Sequence, residues 1–132
     1  MLRRRRLPEE LVAPASAFDA VIPHLERAKS ALTSSVPGTR MPGRPLAETL
    51  HEFETALGVV RDGMDAWRAP AVEDVWRASN DGLAEALALA ERIRTEAPEP
   101  AGFEGLIALI GDLLAPLDPF ERAATRFREL GG

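Results

Sequence analysis

The stretch Leu46-Ala47-Glu48-Thr49-Leu50-His51-Glu52-Phe53-Glu54-Thr55-Ala56-Leu57-Gly58-Val59-Val60-Arg61-Asp62-Gly63-Met64-Asp65-Ala66-Trp67 decides the fold. Within it Leu46, Leu50, Phe53, Leu57, Val60, Met64 and Trp67 recur at alternating four- and three-residue steps, which draws one apolar seam along a helix. A seam of that kind needs a partner helix against it.

Proline punctuates the chain outward from this stretch. Pro45, Pro70, Pro100 and Pro119 each stand just ahead of a helical pattern, where a missing N–H costs nothing and the fixed φ is already helical. The pattern predicts helices over Ser16 to Thr33, Leu46 to Arg68, Ala71 to Glu96, Ala101 to Ala115 and Pro119 to Leu130, with Gly131 as a stop. No segment shows the apolar and polar alternation of a half-buried strand. The expected fold is all-α: an antiparallel up-and-down bundle of four main helices plus a short C-terminal fifth.

In the first helix Phe18, Val21, Leu25, Ala28 and Leu32 form one stripe, and Pro23 predicts a kink or a later start near Ile22. The kink is the preferred reading, because the stripe keeps its phase across the proline. The short connection around Ala69 and Pro70 predicts an antiparallel hairpin with Trp67 and Trp76 at the same end. Both tryptophans lie on helical stripes, so they read as core. In the third helix Val72, Trp76, Leu83, Leu87, Ala90 and Ile93 make the matching stripe, interrupted by Ser79 and Gly82. Gly58, Gly63 and Gly82, each costly inside a helix, predict close backbone approach.

The chain has 132 residues, the size of one domain, and 45% of them are hydrophobic, ordinary for a globule. We expect a single domain over 1–132, with 1–7 as a flexible basic tail and 34–45 as a long, mobile crossover loop. Its 16 basic and 21 acidic residues give −5, and without Arg3, Arg4, Arg5 and Arg6 the remainder is −9. An acidic body repels nucleic acid and anionic membrane, so binding to nucleic acid is not expected. Polyanion contact would be confined to Arg3 to Arg6, with Arg40 and Arg44 of the loop as a second contact. Pro8, Glu9 and Glu10 interrupt any export signal, and no stretch reaches the ~20 apolar residues of a membrane helix. With no cysteine in the chain, a cytoplasmic location is expected.

Chemistry-bearing residues are sparse. Glu48 and His51 have the Glu-x-x-His spacing of di-metal bundles, but the seam places both towards solvent and no second pair exists. His24 has no carboxylate or nucleophile fixed near it by spacing, and Ser30, Ser34, Ser35 and Ser79 lack a nucleophile elbow. No catalytic residue, metal site or cofactor is expected. Between Leu106 and Leu117 the single formal charge is Asp112, and apolar residues occupy more than one face. That helix is therefore either central or covered by another molecule. The expected function is non-enzymatic, through self-association as a homo-oligomer or through a protein partner, with Leu109, Leu113 and Leu114 as the contact. The alternatives are a small-molecule or metal-binding bundle, and a nucleic-acid accessory protein that uses the arginine arm.

Overall fold

The computed structural model describes residues 7–38, 42–96 and 102–131. Five α-helices form among them: α1 (Glu9–Thr33), α2 (Leu46–Asp62), α3 (Glu73–Glu96), α4 (Gly102–Leu114) and α5 (Pro119–Gly131). Short 3-10 turns at Asp65–Trp67, Pro70–Val72 and Ala115–Leu117 join them, and no strand occurs among the described residues.

The first helix begins seven residues before the expected Ser16. Pro8 is extended, the Leu11 N–H bonds its carbonyl at 2.9 Å, and Glu9 and Glu10 occupy the first turn, where the helix dipole favours acid. The helix runs unbroken through Pro14 and Pro23, so a start near Ile22 is excluded. Residues Glu10 and Asp19, whose carbonyls these prolines leave unbonded, are exposed to water, which accepts the loss.

The second helix stops at Asp62 rather than Arg68, because the chain tightens into a 3-10 turn beyond Gly63. A Cβ on Gly63 would lie 2.6 Å from the Val21 side chain. The seam survives this change of pitch: Leu50, Phe53, Leu57, Val60, Met64 and Trp67 are all buried. The turn to α3 is locked by the Trp76 indole N–H donating to the Met64 carbonyl at 2.8 Å. Arg68 lies over the Trp76 ring, 4.0 Å from its centroid, and its guanidinium donates to both Glu73 oxygens.

Trp67 is fully buried, with Phe18 edge-on at 4.8 Å, Phe127 at 6.1 Å, Phe120 at 6.2 Å and Trp76 at 6.5 Å between centroids. Four helical segments thus meet on one ring, and such pairs contribute about 0.5–1.5 kcal/mol each beyond area burial.

Contacts at both ends fix how the helices lie. α1 and the turn after it meet α2 and its C-cap at Ser35 with Thr49 and at Val21 with Gly63. α2 and the turn after it meet α3 at Met64 with Trp76 and at Glu54 with Arg94. α3 meets the turn Ala115–Leu117 at Gly82 and meets α5 where Arg126 grips Asp74 and the Ala71 carbonyl. α4, the turn and α5 therefore follow one another along α3, broken where Pro116 forbids a continuous ladder.

The crossover loop is anchored over its described residues. The Arg44 N–H donates to the Ser34 carbonyl at 2.9 Å, and a Cβ on Gly43 would meet the Ser35 carbonyl oxygen at 2.0 Å. Among the described residues no helix is long and apolar enough to cross a membrane.

Candidate interaction surface

α4 carries two charges, Glu104 and Asp112, and otherwise only apolar residues and glycine. It is peripheral, not central: Ile110 and Leu113 are its buried residues. Leu113 is 0% exposed, so the expectation that it meets a partner is corrected; it belongs to the chain's own core. Leu109 and Leu114 are half-buried against that core. The residues left bare are Phe103, 58% exposed, and Ile107, 42% exposed.

Phe103 lies in the first turn of α4 and Ile107 one turn further on, so both exposed residues fall in the N-terminal half of the helix. Periodicity marked α4 as too apolar for its place, but only the register between helices decides which flank goes uncovered.

Polar groups border this surface. Glu104, Ala108 and Asp112 follow at four-residue steps beside the row Phe103, Ile107 and Gly111. Glu85 and Leu89 of α3 line, with Asp112, Ala115 and Pro116, a hollow of about 480 Å³. A second hollow of about 440 Å³ lies between α1 and α5, with Phe18, Ile22, Leu25 and Phe120 on its floor and Asp19 and Lys29 on its edge.

Arg44, the loop residue expected to touch polyanions, is committed elsewhere. Its guanidinium donates to Glu52 at 2.5 and 3.1 Å and to Glu48 at 2.7 Å. These bonds raise the Arg44 pKa above its usual range and hold the Glu52 carboxyl below its own. An arginine facing two carboxylates presents no net positive charge to a phosphate, so that contact is withdrawn. Arg3, Arg4, Arg5, Arg6 and Arg40 lie outside the described residues.

Glu48 and His51 are exposed, as the seam required, and Glu48 is held by Arg44. Among the described residues no group of three or more metal-binding side chains converges. His24 Nδ1, Trp67 Nε1 and Ser79 Oγ are buried without a hydrogen-bond partner among the described residues. On the α2–α3 turn, Glu73 accepts from Arg68 and Arg77, which together hold its carboxyl down from an ordinary 4.5 to about 2. Arg126 likewise lowers the Asp74 carboxyl.

Comparison with protein-family models, with curated proteins and with solved structures finds no match to this chain.

Proposed function

We propose that this chain is a single-domain, non-enzymatic protein–protein interaction module that works in the cytoplasm. Its helices form an antiparallel up-and-down bundle, with α4 and α5 sharing the fourth position on either side of Pro116. The observation that carries the functional reading is the bare apolar flank of α4, Phe103 at 58% and Ile107 at 42% exposure, on a helix with two charges. An aromatic and a branched aliphatic side chain left in water beside half-buried leucines form a surface that gains free energy when another molecule covers it.

A photo-crosslinking amino acid at position 107, introduced in the native host, tests this. Crosslinks to a protein, absent when the same group replaces exposed Glu129, support the reading; no protein crosslink from position 107 overturns it. A second reading, a small-molecule site, has the hollow between α1 and α5 in its favour, since its size and apolar floor suit a small ligand. Displacement of a hydrophobic dye by Ile22→Trp would locate ligand uptake there, and dye binding unchanged by that variant would remove it.

A further inference from the structure

We propose that the uncovered face of α4 takes a basic amphipathic helix of another protein, crossing over Gly111; this rests on the interaction reading above and names the chemistry of the partner. Gly111 is exposed in the body of α4, and a Cβ built on it meets nothing within 4 Å. A helix-interior glycine costs about 1 kcal/mol against alanine. Nothing in the packing of the described residues asks for that absence of side chain. With Ala108 and Ala115 exposed on either side, Gly111 forms a low point in the α4 surface, where a ridge of a crossing helix can seat.

Charge selects the partner. The row that leads into this low point, through Phe103 and Ile107, is apolar, and the row beside it, through Glu104 and Asp112, is acidic. Glu85 joins the acidic side through the hollow it shares with Asp112. None of these three carboxylates has an ion-pair partner among the described residues, and α4 itself has no basic residue. On the C-terminal half of α3, Arg94 is held by Glu54, which leaves Arg92 as the one unpaired cation there among the described residues. A helix with leucine-like residues on one face and lysine or arginine on its flanks covers Phe103 and Ile107 and neutralises the acidic row at the same time. A second copy of α4 fits poorly, because it would bring Glu104 and Asp112 against their own equivalents in a partly dry interface.

The test uses the full chain and two labelled peptides of about 20 residues, with leucine at i, i+3, i+4 and i+7 and either lysine or glutamate elsewhere. Fluorescence anisotropy is expected to show binding of the lysine peptide, weakened by added salt. Gly111→Leu fills the low point without touching the core, so the fold persists by circular dichroism while binding falls at least about 10-fold. Glu104→Lys with Asp112→Lys gives a comparable loss. Equal binding of the glutamate peptide, or lysine-peptide binding unchanged by Gly111→Leu, overturns the proposal. A dimer in sedimentation that Gly111→Leu dissolves also overturns it, and leaves the interaction reading standing with a different occupant. Failure of both readings is recognised separately, by no peptide binding, no dimer and no crosslink from position 107.

Discussion

Replacing Gly82 by alanine is the sharpest test of how α3 meets the turn between α4 and α5. On helix propensity alone the change gains about 1 kcal/mol, since Gly82 lies in the interior of α3. The tertiary contact opposes it: the added Cβ would lie 1.9 Å from the Pro116 carbonyl oxygen and 3.0 Å from the Pro116 carbonyl carbon. The first distance is about 1.5 Å short of ordinary contact. Both sides are backbone, so no rotamer change relieves the overlap. α3 and the turn Ala115–Leu117 have to part, which loosens the packing around Leu83 and Leu117, both buried at present. Overpacking of this kind costs about 1–3 kcal/mol, more where the backbone itself must move. The upper end of that range is expected here as a net loss of about 3 kcal/mol. In urea, with a slope of about 1.5 kcal/mol per M, the midpoint falls by about 2 M. Gly58→Ala is the control: that glycine is also inside a helix, but nothing lies within 4 Å of its added Cβ, so the midpoint rises by about 0.5–1 kcal/mol equivalent. An unchanged or raised midpoint for Gly82→Ala refutes the reasoning, because it means that the turn does not press on α3 at that point.

Other outcomes follow from single contacts. Ser79→Ala removes a fully buried hydroxyl that has no partner among the described residues and is expected to stabilise the fold by about 1 kcal/mol, read by thermal denaturation. Leu113→Ala opens a cavity in the core and costs about 2–5 kcal/mol, whereas Ile107→Ser changes the unfolding free energy by less than about 1 kcal/mol; equal losses would mean that the two faces of α4 are assigned the wrong way round. A carbon-detected NMR titration should find the Glu73 carboxyl titrating near pH 2, returning towards 4.5 in an Arg68→Ala, Arg77→Ala variant. Since its folded value is depressed, its contribution to stability is fully present above about pH 4.5 and is lost as the pH falls towards about 2.

Much of the helical pattern was legible because a 3.6-residue period shows in the order of residues alone. Phe18, Val21, Leu25, Ala28 and Leu32 face the core as their spacing required, and so does the seam from Leu50 to Trp67. Helix ends were less legible. Proline before Glu9 opens α1 early, because a start depends on which turns can still bury a side chain, and α5 extends to Gly131, one residue past the expected Leu130. Of three glycines read as points of close approach, Gly63 and Gly82 are such points and Gly58 is not; a glycine marks the possibility, but the neighbour comes from another segment. The surface proposed for contact was half legible. Excess hydrophobicity singled out α4, but assigned its contact to Leu109, Leu113 and Leu114, while Phe103 and Ile107 are the exposed residues.

By itself, then, the order of residues determined that the described chain is helical and which side of α1, α2 and α3 turns inward, because both depend on interactions within a few turns of one helix. Only the tertiary structure decided that Pro116 presses on Gly82, and that Leu113 is buried while Phe103 and Ile107 of the same helix stay in water. Those outcomes depend on how segments far apart in sequence pack on one another, which no local period encodes.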